Sequence, residues 1–217
     1  MSFRRREEWM EPAFEKFRIG VKIVDAARNR TVSAELVSDP GLKELYETEK
    51  EWGVYRSGAI AQFRLDDPNR PESAHWNWVR KFSGRPARTF RICSLVAEKS
   101  VQGLLMICTD PTSGHTATSQ KEMFLYISFL ESAPWNLREY VGANIKYSGV
   151  GSALLRCAVA LSFDMGCQGR LMLTALPNAE RFYLKRKFEH VGWDAHEKLN
   201  VYELNASNAL AVLEGRS

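Results

Sequence analysis

The sequence predicts an α/β fold, a sheet flanked by helices, and three observations carry that prediction. Two glycines one residue apart in Lys146-Tyr147-Ser148-Gly149-Val150-Gly151-Ser152 open a long apolar helix. Short runs rich in β-branched and apolar residues lie on both sides of it, interleaved with stretches of helical period. Two such runs flank the polar turn Glu98-Lys99-Ser100, the sequence form of a β-hairpin.

Taken in order, residues 17–27 alternate as a strand with Ile19, Val21 and Ile23 on one face. Asp39-Pro40 signals a helix over residues 40–52, with Asp39 as N-cap and Gly53 as stop. Residues 54–88 are weakly patterned, and Asp66-Asp67-Pro68-Asn69-Arg70-Pro71 is a loop. A short aromatic helix follows over 73–82, where Trp76, Trp78 and Phe82 either join the core or line a substrate entrance. The hairpin strands occupy 89–97 and 101–108, and a polar loop spans 109–120. Residues 123–130 return to strand, dense enough in apolar side chains to be buried on both faces.

The strand ends in Glu131-Ser132-Ala133-Pro134-Trp135-Asn136. Glu131 there is either a general base or a surface carboxylate marking the strand's exit. The helix after the glycine turn runs over 150–165, with Leu154, Ala158, Leu161 and Met165 on one stripe and Gly166 as stop. A strand over 170–176, a helix over 178–187, strands over 188–193 and 198–204 and a helix over 206–213 complete the chain.

Composition narrows the function classes. With 217 residues, 45% hydrophobic and 26% charged, one domain spanning 1–217 is expected. Thirty basic against 26 acidic residues give +4, which permits an anionic ligand without requiring nucleic acid. The run Arg4-Arg5-Arg6 is followed at once by Glu7-Glu8 and no aromatic-interleaved basic patch accompanies it, so it reads as a solvated terminus. Cys93, Cys108, Cys157 and Cys167 lack metal or redox spacing and read as reduced core residues. His75, His115, His190 and His196 are scattered, so no metal site is expected. A charged N-terminus and the absence of any run near the ~18 apolar residues of a membrane span point to a soluble, cytoplasmic protein.

The glycine turn suits a pyrophosphate, because several N–H groups converge at a helix N-terminus. Leu154 stands where a dinucleotide fingerprint has its third glycine, and the Gly-Lys-Ser/Thr of a triphosphate loop is absent. A different phosphate ligand is required.

From Met123 to Val191 the order of strand, glycine turn, long helix, strand and a helix bearing Ala179-Glu180-Arg181-Phe182-Tyr183 resembles the GNAT superfamily of acyl-CoA-dependent N-acyltransferases. The resemblance implies a mixed, twisted sheet of six to seven strands and acetyl-CoA as co-substrate, with no metal. Lys146 takes the first place of that family's pyrophosphate turn, where Gln or Arg is usual, and Gly149 and Gly151 match its fourth and sixth, so Lys146, Tyr147, Ser148, Gly149, Val150, Gly151 and Ser152 are the implied cofactor-binding residues. The strand end from Leu130 to Ser132 would hold the pantetheine arm and polarise the thioester through main-chain groups. Tyr183, four residues after Ala179, would protonate the departing thiolate. The chain departs from the family at Leu176 and Lys187, where an Asn and a Gly are usual, and in a longer loop over 135–145.

A primary amine is mostly ammonium at neutral pH, so a carboxylate such as Glu131 would take its proton before attack. The expected acceptor is a small-molecule amine or a protein amine, with Glu72, Glu131 and Glu139 able to attract an ammonium. A homodimer is the default assembly. The alternative is a non-catalytic acyl-CoA-binding or protein-interaction module on the same fold.

Overall fold

The computed structural model describes residues 16–61, 71–83, 85–86, 89–110 and 123–215. The basic run at 4–6, most of the loops at 66–71 and 109–120, and His115 lie outside the described residues. In chain order the elements are β1 (Arg18–Asp25), β2 (Arg30–Ser38), α1 (Leu42–Ile60), a 3-10 turn (Glu72–His75), α2 (Trp78–Phe82), β3 (Phe90–Ala97) and β4 (Ser100–Cys108). There follow β5 (Leu125–Ser132), a 3-10 turn (Pro134–Asn136), α3 (Arg138–Val141), β6 (Tyr147–Ser148), α4 (Val150–Asp164), β7 (Leu171–Ala175), α5 (Pro177–Leu184), β8 (Glu189–Asp194), β9 (Leu199–Leu204) and α6 (Ala206–Leu213).

One mixed, twisted sheet holds nine strands in the order β6-β1-β2-β3-β4-β5-β7-β9-β8. Six to seven strands were expected; the two beyond seven are β2 and the two-residue β6. β2 escapes the sequence pattern because its first half is exposed and charged, yet Ala34 and Leu36 alternate with Ser33 and Glu35 and pack on the core. Asn29, in the left-handed region at φ +47°, closes the turn between β1 and β2, and Asp25 accepts the Arg28 N–H there at 3.1 Å.

Two helix boundaries also differ from expectation. Asp39 is not an N-cap: it sits at φ +48° and its carboxylate accepts a hydrogen bond from Arg91 Nη1 at 2.6 Å. α1 does not stop at Gly53 but runs on to Ile60. A glycine inside a helix costs about 1 kcal/mol; Trp52 and Arg56, both buried on either side of it, anchor the continuing helix. The aromatic stretch is broken at Trp76-Asn77, where the Asn77 side chain accepts the Arg80 N–H at 2.8 Å and starts α2.

The predicted hairpin is present as β3 and β4. Glu98 and Lys99 both take positive φ, +50° and +63°, as a two-residue turn of matching twist requires. β4 is covered on both faces. Leu105 and Ile107 meet Leu154, Leu155 and Ala158 of α4 on one side, and Leu104 and Met106 meet Leu45, Trp52 and Trp78 on the other. Gly103 lets α4 come this close: a Cβ there would stand 2.6 Å from Val150 Cγ1 and 2.9 Å from Leu154 Cδ1. None of the four cysteines is in a disulfide, and all four are buried. No helix among the described residues is long and apolar enough to cross a membrane.

Candidate functional site

β5 and β7 are the parallel neighbours of the sheet, registered at Leu125–Leu171 and Tyr126–Met172 and diverging beyond. Where they part, β5 carries a bulge: Ile127 pairs with Ile107 and Phe129 with Met106, so Ser128 is the extra residue. Tyr126 closes the base of the gap. Its hydroxyl accepts the Thr174 N–H at 3.2 Å and bonds Thr174 Oγ1 at 3.0 Å, occupying a β7 backbone donor that lies beyond the last registered β5–β7 pair.

Two cavities open at this divergence. The larger, about 660 Å³, is walled by Ser128, Phe129 and Leu130 of β5, Leu173 and Thr174 of β7, and by Trp76, Lys81 and Arg85. The smaller, about 310 Å³, is walled by Glu131, Ser132, Gly151 and Phe182 among others. Trp76, Leu130, Leu176, Ala179 and Tyr183 line both. Leu130, Ser132, Glu131, Gly151 and Tyr183, far apart in sequence, therefore gather around two adjoining cavities.

At the glycine turn, Gly149 has φ +85° and serves as the N-cap of α4, with no side chain bonded to the first turn. Gly151 lies under the Phe182 ring, and a Cβ there would stand 3.1 Å from Phe182 Cζ. Ser152 Oγ accepts hydrogen bonds from Arg186 Nη2 at 2.6 Å and Nε at 3.1 Å, while the guanidinium stacks 3.8 Å from the Phe182 ring centre. A cation thus stands at the end of α4 where the helix dipole already favours anions.

The first residues of the turn point elsewhere. Tyr147 is buried in β6 against Asp25 of β1, its N–H donated to Asn136 Oδ1 at 2.9 Å. Lys146 pairs with Glu98 at 3.2 Å, beside a separate cavity of about 370 Å³. Ser148 pairs with Val24 of β1, and Val150 is a core residue.

Glu131 lies within β5, not beyond its end, and is buried. Its Oε2 accepts hydrogen bonds from Trp78 Nε1 at 2.6 Å and Arg56 Nη2 at 2.9 Å, whereas Oε1 has no well-formed hydrogen bond. Burial raises its pKa above the ordinary carboxylate value, against the Arg56 charge and the donors Trp78 and Ser73. Tyr183 packs edge-on against Phe182 and Phe188, at 5.1 and 5.4 Å between ring centres. Burial pushes its pKa well above that of free tyrosine, so the phenol is protonated at neutral pH.

Arg56, Lys81, Arg85 and Arg186 border the site and are not evident in sequence, where cations read as surface. Arg56 left one signal: Leu45, Glu49, Trp52 and Arg56 fall at helical spacing on a single buried face.

No family model matches the chain, and no curated protein matches it in sequence. Solved structures do resemble it. One is a yellow fever mosquito (Aedes aegypti) protein described as arylalkylamine N-acetyltransferase 7, at 11% identity and TM-score 0.55, covering 92% of this chain and 100% of that one. Another is the GNAT domain of S. lividans PAT, at 15% identity and TM-score 0.50, covering 86% of this chain and 96% of that one. Identities this low speak to architecture, and in architecture this chain has the GNAT fold.

Proposed function

We propose that this chain, acting as a single domain, is an acyl-CoA-dependent N-acetyltransferase that joins an acetyl group to an amine in a ternary complex. The observation that carries the reading is the wedge between β5 and β7, whose cavity adjoins a second one lined by Gly151 at the uncapped N-terminus of α4. The backbone of Ser148, Gly149, Val150, Gly151 and Ser152 would receive the pyrophosphate, with Arg186 adding charge beside it. Lys146 and Tyr147 contribute by holding the turn, through Glu98 and Asn136.

Acetyl-CoA supplies the activated acyl group; the chain supplies position and proton transfer. Leu130 to Ser132 line the passage between the strands, where main-chain N–H groups would stabilise the developing oxyanion. Glu131 borders the smaller cavity and accepts the acceptor's ammonium proton, directly or through water. As the new C–N bond forms and the C–S bond breaks, Tyr183, at the junction of both cavities, would give its proton to the departing thiolate sulfur and regain one from the newly acylated nitrogen, which sheds its second proton there. No cysteine is needed as a nucleophile.

The test is a melting curve with and without acetyl-CoA for the parent and for Ser152→Glu. A ligand at a hundredfold excess over Kd adds ~2.7 kcal/mol of stability. A negative side chain in the first turn favours the helix but opposes a pyrophosphate, so the variant should stay folded and lose the shift. Absence of a shift in the parent over a wide concentration range would remove the reading. A shift without transfer to any amine would favour the non-catalytic module.

A further inference from the structure

The two cavities divide the charges. Glu72, Glu131 and Glu139 border the smaller one. Lys81 and Arg85 border the larger, where Glu197 is the acidic lining residue among the described ones and pairs with His196 Nδ1 at 3.2 Å. Lys81 Nζ lies 3.3 Å from the ring centre of Phe129 and 4.2 Å from that of Trp76. Arg85 lies 4.6 Å from the ring centre of Phe90 and 5.5 Å from that of Phe129, its Nε donating to the Lys81 carbonyl at 2.9 Å. Neither cation has an ion-pair partner among the described residues. Two half-buried cations therefore share one aromatic surface inside a cavity.

Ring faces compensate a desolvated cation only in part, whereas a carboxylate or phosphate would add charge-assisted hydrogen bonds. Burial lowers the Lys81 pKa to about 8, against the attraction of the Glu131 charge and with the repulsion of Arg85 and Arg56. Glu131, already engaged by Arg56, remains on the opposite side of the Trp76–Tyr183 junction.

We infer that the acceptor is a zwitterion: an amine whose carboxylate or phosphate is held by Lys81 and Arg85 in the larger cavity, with its ammonium toward the acids of the smaller one. Trp76, Phe90 and Phe129 would flank the body between the two charges. This rests on the acetyltransferase reading for its chemistry but not for its binding test. The specificity is for a pair of opposite charges, not for a simple amine.

The experiment titrates the full chain calorimetrically with two matched pairs: phenylalanine against phenethylamine, and phosphoethanolamine against ethanolamine. Acetyl-CoA is left out, so failure of the cofactor reading is scored separately by the melting curves. The expected result is at least about tenfold tighter binding of the anion-bearing member of one pair or both, which also separates carboxylate from phosphate. Lys81→Met and Arg85→Met should abolish that preference, and Lys81→Arg should restore most of it, with melting temperatures showing that each variant is folded. Equal binding within both pairs, undetectable binding of all four at millimolar concentration, or a preference that survives the double Lys81→Met/Arg85→Met change would overturn the inference.

Discussion

Arg56 Nη2 donates to Glu131 Oε2 at 2.9 Å between side chains only 4% and 2% exposed, and Arg56 Nη1 reaches Glu49 Oε1 at 2.7 Å. One guanidinium thus bridges two carboxylates that arrive from α1 and from β5, tying the helix to the strand that carries the bulge. Removing one partner of such a buried pair leaves an uncompensated charge and costs about 3–5 kcal/mol. Arg56→Met should therefore lower the urea midpoint far more than Glu131→Gln, which keeps the shape and an amide dipole.

The pH dependence of that site has a definite sign. Glu131 has a folded pKa raised above its unfolded value, chiefly by burial. In the window between the two, the folded chain keeps a proton that the unfolded chain has released. Its contribution to stability is full below the unfolded value and is lost as pH rises through the folded one. Urea midpoints measured from pH 4 upward should show this decline in the parent and not in Glu131→Gln.

Tyr183→Phe removes a hydroxyl and leaves the packing on Phe182 and Phe188. Stability should change by about 1 kcal/mol or less, and the acetyl-CoA melting shift should persist. Turnover should fall roughly 10²-fold, as for loss of a general acid. Unchanged turnover would take Tyr183 out of the chemistry.

Gly103→Ala places a methyl group against Val150 and Leu154. Overpacking of this kind costs about 1–3 kcal/mol. Val150→Ala in the same chain should recover part of the loss, because it removes the Cγ1 atom that the new methyl meets at 2.6 Å. A double-mutant cycle in urea with no coupling would contradict the close approach of α4 to β4.

Cys157 Sγ and Cys93 Sγ lie 3.5 Å apart, and that contact, together with burial, raises the Cys93 pKa well above an ordinary thiol. None of the four buried thiols should react rapidly with a disulfide reagent in the folded chain, and all four should react in denaturant.

Much of the fold was legible because its signals are local. The left-handed Glu98-Lys99 turn, the glycine turn with the stripe of α4, and the Gly166 stop each depend on a few neighbouring residues. β2 was not legible, since its inner face is only Ala34, Leu36 and the residues at its end. The end of α1 is not legible at Gly53, because the burial of Trp52 and Arg56 outweighs the low helix propensity of that glycine. Glu131, Gly151 and Tyr183 were legible as candidates, but not their company. That Arg56 would bind Glu131, that Phe182 would lie over Gly151, or that Lys81 would rest on Phe129 depends on contacts across dozens of residues, which periodicity does not encode.

The two registered pairs between β5 and β7 have a mechanical meaning as well. They form a seam as narrow as the edge pairing of the two-residue β6 with β1, but inside the sheet of nine strands, dividing a plate of β1 to β5 with β6 from a plate of β7, β9 and β8. α4 packs on both plates and acts as their spring, while the Tyr126–Thr174 bonds form the rivet at the base. A molecule seated in the wedge would load this seam directly. Backbone amide exchange at Leu125, Leu171 and Met172 would then report the opening angle of the sheet, and a tightly held guest would slow it even though none of those three residues lines the cavity.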